Sequence, residues 1–141
     1  MNITPLENGI VLDHIKAGNG MLLYEALNLS NLDCSVALIK NAKSKKMGKK
    51  DVLKIDCLLD LDFNVISVID KGVTVNIIKD GVLTKRINLS LPKTVTGIFT
   101  CKNPRCITSV ERGLPNVFKL TDKELGEYRC IYCETKAKDE V

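Results

Sequence analysis

An α+β fold is expected, with a mixed sheet carrying two helices on one face, followed by a small all-β unit built round four cysteines. Three observations predict it. Short β-branched runs alternate with two helix-like stretches over the first ninety residues, in the order β-α-β-β-α-β-β. Ser90-Leu91-Pro92 then interrupts the pattern. The remainder opens with Cys101-x4-Cys106 and nearly closes with Cys130-x2-Cys133.

The elements follow from local chemistry. Gly9 to Ile15 is rich in branched apolar residues and bounded by glycines, so it reads as a strand. Asn19 can cap a helix whose apolar face carries Met21, Leu22, Leu23, Ala26 and Leu27. Val36 to Ile39 is a strand, and its unbroken apolar run suggests cover on both faces. Asn41 to Lys50, with five lysines, reads as a solvated loop, and Asp51 to Leu61 as the next strand. Asn64 to Asp70 is β-branched yet places Val65, Ile66, Val68 and Ile69 on one helical face; helix is expected, with Gly72 as its stop. Val73 to Lys79 and Val82 to Asn88 form a hairpin through Asp80-Gly81. Beyond the break, short strands are expected at Val95 to Thr100, Ile107 to Val110, Asn116 to Leu120 and Glu127 to Ile131. The implied domains are 1–92 and 96–141.

Two thiol hairpins at this separation suit one tetrahedral metal, each giving two sulfurs at about 2.3 Å. Cys101, Cys106, Cys130 and Cys133 are therefore the candidate ligands, and zinc is the expected ion. Four protein ligands leave no open coordination position, so the metal should be structural. A redox Cys130-x-x-Cys133 pair is disfavoured by its place near the chain end with no helix after it. Cys34 and Cys57 have no partner spacing and read as buried, inert thiols.

The chain of 141 residues is 45% hydrophobic and 27% charged, a globular balance. No apolar run is long enough to span a membrane and no signal peptide is evident, which points to a cytoplasmic protein with reduced thiols. The net charge of +4 raises the alternative of a zinc ribbon that binds nucleic acid through the lysine run. Against it, residues 101–141 hold eight basic and seven acidic residues, so the tail is about −1 once four thiolates hold a dication. Aromatics for base stacking are also scarce, at 4%. Neither nucleic acid nor membrane is an expected partner. There is no nucleophile–histidine–carboxylate set, no phosphate-cradling glycine loop and no paired catalytic carboxylates, so the sequence does not show an active site.

The fragments VLDHI (11–15), MGKKDVLKI (47–55), TVN (74–76) and SLP (90–92), with the four cysteines in this order, resemble the regulatory chain of aspartate carbamoyltransferase over nearly the whole length. The resemblance implies a ferredoxin-like nucleotide-binding domain that pairs into a homodimer, and a zinc domain that docks on the catalytic chain. It implies CTP as inhibitor, ATP as activator and no catalysis by the chain itself. Residue by residue, it implies that Lys54 and Arg86 face the phosphates, with Lys50 in reach. Asp13, His14 and Asn76 would meet base or ribose. Val11, Ile78 and Leu83 would form apolar walls, with backbone near Leu6 reading the base edge. Two positions depart from better-known members: Gly81 replaces a tyrosine near the base, and Arg86 replaces a lysine.

Overall fold

The structure, a computed structural model, describes residues 7–111 and 113–137, so Leu6 lies outside the described residues. The chain divides into two compact units, 1–90 and 91–141.

The first unit holds strands β1 (Gly9–Lys16), β2 (Val36–Ser44), β3 (Gly48–Ile55), β4 (Thr74–Lys79) and β5 (Val82–Asn88). Helices α1 (Gly20–Ala26) and α2 (Phe63–Ile69) complete it, with a short 3-10 turn at Leu29–Asn31. The sheet order is β2-β3-β1-β4-β5. The α+β class and the split β-α-β pattern are as expected, and the first four strands in that order form the ferredoxin-like arrangement. The sheet is not mixed, however: every pairing is antiparallel. The two crossovers skip a strand, so parallel neighbours never touch.

Alternation along the strands builds the core. Ile10 and Leu12 on β1 stand opposite Ile55 and Leu53 on β3 and opposite Ile77 and Val75 on β4. These side chains cluster with Leu23 of α1 and Ile66 of α2, which puts both helices on one face. The helix over 63–69 won against its β-branched residues because Asp62 caps it, its carboxylate accepting from Asn64 N (3.0 Å) and Val65 N (3.4 Å). It ends at Asp70, not through a left-handed Gly72. Asn19 precedes α1 as expected, but its side chain makes no cap; its Nδ2 donates to Asp70 instead (3.3 Å).

Two further expectations are corrected. β2 is an edge strand and only half-buried, because its continuous apolar run has a partner on one side alone. The lysine run is not a loop. Ala42 to Ser44 and Gly48 to Lys50 pair as a hairpin around Lys45–Met47, and β3 ends at Ile55 instead of reaching Leu61. The Asp80-Gly81 turn is as read, with φ of 52° and 75°, the doubly left-handed geometry that matches strand twist.

The second unit is a three-stranded antiparallel sheet of β6 (Thr94–Thr96), β7 (Val117–Asp122) and β8 (Glu127–Cys130). Its apolar centre is small: Val95, Phe118 and Tyr128, with Phe99 packed edge-on to Phe118. The Tyr128 hydroxyl donates to the Pro92 carbonyl at 2.6 Å, which ties Pro92 into this unit. Ile107 to Val110 forms a one-turn helix, α3, where a strand was expected. Cys106 dictates the turn, its carbonyl accepting from Ser109 N (2.8 Å) and Val110 N (3.2 Å).

Candidate metal centre and polar sheet face

Two hairpin-like knuckles deliver the four cysteines. In the first, Asn103 shapes the chain: its Oδ1 accepts from Arg105 N (3.0 Å) and its carbonyl from Ser109 Oγ (2.8 Å). In the second, Glu134 N donates to Cys130 O and Cys130 N to Thr135 O, both at 2.9 Å, with Glu134 held at φ 63°. The four Sγ atoms lie within 4.8 Å of one another. Cys101 Sγ is 3.6 Å from Cys133 Sγ, and Cys106 Sγ is 3.7 Å from Cys130 Sγ. A tetrahedron of sulfurs at about 2.3 Å from zinc has edges of about 3.8 Å, so these residues fit one such ion.

The thiols are tuned unequally. Burial pushes the Cys101 thiol up to about 12, against the Asn103 N–H. The Thr135 hydroxyl, 3.2 Å from Cys133 Sγ, brings Cys133 down to about 6, and Thr108 Oγ1, 3.1 Å from Cys106 Sγ, lowers Cys106. Four packed sulfurs cannot all be anions unless a cation joins them; metal binding supplies that charge and releases the remaining protons. The two threonines were missed by the sequence reading, although each stands two residues after a ligand, as Cys106-x-Thr108 and Cys133-x-Thr135. They hydrogen-bond the ligand sulfurs and orient them.

In the first unit, the face turned away from the helices carries most of the other candidates. Ala37, Lys54, Val11, Asn76 and Arg86 stand directly opposite one another on successive strands, one row across the whole sheet. Ile78 lies one step along from Asn76 on the same face, opposite both Gly9 and Leu83. Lys54 is buried, Val11, Asn76 and Ile78 are half-buried, and Leu83 and Arg86 are exposed. On the side of the row away from Ile78, β1 bulges between Leu12 and Ile15. There His14 takes φ 58°, and its Nδ1 sits 3.2 Å from Thr74 Oγ1. Lys50 Nζ pairs with Asp13 Oδ1 at 2.9 Å. Burial works to raise the Asp13 carboxyl, but the Lys50 ammonium and the His14 N–H outweigh it and hold the group below 3.8.

Beside this row sits a residue the sequence reading passed over. Asp51 is fully buried and accepts three backbone N–H groups, from Gly18, Gly20 and Asn41, each at 3.0 Å. It fastens the start of α1 and the irregular point of β2 to the strand that bears Lys50 and Lys54. Gly20 has to be glycine here, since a Cβ would fall 2.7 Å from Leu38 Cδ1 and 2.8 Å from Asp51 Oδ2. The only sequence signal was its position directly after the lysine run.

A closed four-sulfur metal unit and an α+β unit with a polar sheet face, carried on one chain, define a metal-binding protein of two parts. Residues 1–90 match the family described as aspartate carbamoyltransferase regulatory chain, allosteric domain, and residues 93–141 its metal binding domain. An aspartate carbamoyltransferase regulatory chain of Clostridium tetani is 50% identical over 135 residues, covering 95% of this chain and 94% of the relative. The same-named chain of Clostridium botulinum (strain Hall) is 47% identical over 134 residues, covering 95% and 92%. That of Bifidobacterium longum is 37% identical over 138 residues, covering 98% and 99%. The chain belongs to the aspartate carbamoyltransferase regulatory chain family, and is a regulatory, not a catalytic, subunit. No helix among the described residues is long and apolar enough to cross a membrane.

Proposed function

We propose that the polar sheet face binds nucleoside triphosphates, with CTP as inhibitor and ATP as activator, and that occupancy is relayed to catalytic chains held by the zinc-loaded second unit. The observation that supports this reading is the row Lys54–Val11–Asn76–Arg86, with Asp13 and His14 beside it, further along β1. It combines two cations for phosphate, an amide with both donor and acceptor, and an apolar floor. Lys54 is buried, where its charge is poorly screened by salt. Lys54 and Arg86 carry the phosphate role, and Lys50, paired with Asp13, a supporting one. Arg86 is exposed near the sheet edge, where a guanidinium can reach two phosphate oxygens at once. Gly81 leaves no ring to stack on the base, so backbone groups and pocket depth choose between cytosine and adenine.

The apolar Ile107, Val110, Ile131 and Tyr132 are exposed on and beside the two knuckles, which suits a docking surface for the catalytic chain. The outer edge of β2 suits pairing of two nucleotide-binding units into a cytoplasmic homodimer. Linkage then requires reciprocity: a nucleotide favouring one quaternary state shifts substrate affinity by about 1–3 kcal/mol, and substrate shifts nucleotide affinity equally. Calorimetric titration of CTP into the zinc-loaded chain tests the reading. Saturable binding should weaken about tenfold or more in Lys54→Ala. Absence of binding, or an unchanged isotherm in that variant, would overturn it.

A further inference from the structure

Two cysteines outside the metal site meet at the open end of the β2–β3 ladder. Val36 stands opposite Ile55, and the Asp56 N–H donates to the Ser35 carbonyl at 2.8 Å, which extends the ladder by one rung past the strand ends. Continued by one step, the same register sets Cys34 opposite Cys57. In an antiparallel ladder, the pair beside a hydrogen-bonded rung is a narrow one, with Cα atoms about 4.5 Å apart. That spacing lies within the roughly 4.4–6.8 Å over which a disulfide closes without backbone movement. The two thiols are free, half-buried and hydrogen-bonded to each other. Both pack against the apolar core beside Leu32, Leu59 and Leu61, which holds the segments that carry them in place. The expectation of buried thiols within strands is corrected: they are half-buried and lie at bends just outside β2 and β3.

We propose that Cys34 and Cys57 form a redox-modification site, a dithiol that closes to an intramolecular disulfide by exchange with a low-molecular-weight disulfide. One of the two sulfurs attacks first: its thiolate adds to one sulfur of the reagent, the reagent's S–S bond breaks, and one small thiolate leaves. The other thiol then gives its proton to solvent and attacks the protein sulfur that carries the adduct, releasing the second small thiolate. The protein loses two electrons and two protons, and the reagent disulfide becomes two thiols. The Cys34 contact, then burial, then Asp56 push the Cys57 thiol up to about 11, as expected for two thiols sharing one site. The new bond crosses the ladder just beyond the Asp56–Ser35 rung, so it should suppress fraying of the edge strand β2 at that end.

The test treats the zinc-loaded full-length chain with glutathione disulfide and maps peptides by mass spectrometry without reduction. Wild type should give a Cys34–Cys57 cross-link, two hydrogens lighter, reversed by dithiothreitol and formed with no loss of zinc. Exchange of the Asp56 amide with solvent should slow in the oxidised form. Cys57→Ser should trap glutathione on Cys34, and Cys34→Ser should trap it on Cys57, because neither variant keeps a second thiol to release it. A wild-type chain that keeps a stable glutathione adduct on Cys34, or one in which Cys101, Cys106, Cys130 or Cys133 oxidise first, would overturn the proposal.

Discussion

The two units hold themselves together by different means. In the first, ten buried apolar residues drawn from three strands, two helices and their connections form one cluster under a five-stranded sheet. In the second, Val95, Phe118 and Tyr128 share the interior with Cys101, Cys106 and Cys130, so sulfur takes the place of hydrocarbon. About fifty residues rarely bury enough apolar surface to offset chain entropy, and a cross-link at the centre is the usual remedy. The difference teaches that the first unit's fold is written in periodicity, while the second's depends on an ion that periodicity does not mention.

The largest expected effect separates the units outright. Chelating the metal, or Cys106→Ser, should unfold the second unit, because structural zinc sites of this kind contribute about 10–16 kcal/mol of folding free energy at neutral pH. Amide resonances of residues 94–137 should lose dispersion while those of 9–88 keep theirs. CTP binding should persist while assembly with the catalytic chain is lost. If both sets of resonances collapse together, the contrast between a self-supporting and a metal-dependent unit is wrong.

The converse change should strike the first unit alone. Asp51→Ala strips the acceptor from three backbone donors, at Gly18, Gly20 and Asn41, in a site closed to water. A loss of about 3 kcal/mol is expected from buried donors left dry. In a unit of this size that lowers the thermal midpoint by at least about 10 °C, with zinc content unchanged. A midpoint within a degree or two of wild type would mean that the carboxylate is a passenger and the loops hold themselves.

What could be read in advance follows the same division. The branched apolar run at Gly9 to Ile15 and the Asp80-Gly81 turn are local signals, and each fixed its element without help from distant residues. The cysteine spacing was equally local, and gave the metal centre. The failures are all cases where a distant partner decides. Lys43 and Lys49 look like solvated loop residues until the two sides of their hairpin meet. Ile107 to Val110 looks like a strand until Cys106, committed to the sulfur cluster, turns the chain. Asp51 is an ordinary acid in sequence, and becomes a triple acceptor only when α1 and the irregular point of β2 arrive from either side. For the polar face, residue types were suggestive, but their alignment in one row depends on the register of four strand pairs, which no local pattern encodes.

The smallest effect sharpens the comparison most, because acid should act on the two units in opposite order of strength. A double-mutant cycle on Asp13→Asn and Lys50→Met should give a coupling of about 0.5–1 kcal/mol, modest because both groups keep some contact with water. Asp13 is held below its ordinary value of 3.8 in the folded chain. A depressed folded value means the pair's contribution is complete above 3.8 and is lost only as pH falls through the folded value. The metal ligands respond far earlier, since protons compete with the metal for every thiolate as the solution becomes mildly acidic. Lowering the pH from neutral should therefore release zinc and melt the second unit while the Asp13–Lys50 coupling stays constant, and only stronger acid should erase it. A coupling that fades in step with zinc release would show that the first unit's polar face also depends on the metal, contrary to a fold that stands on its own core.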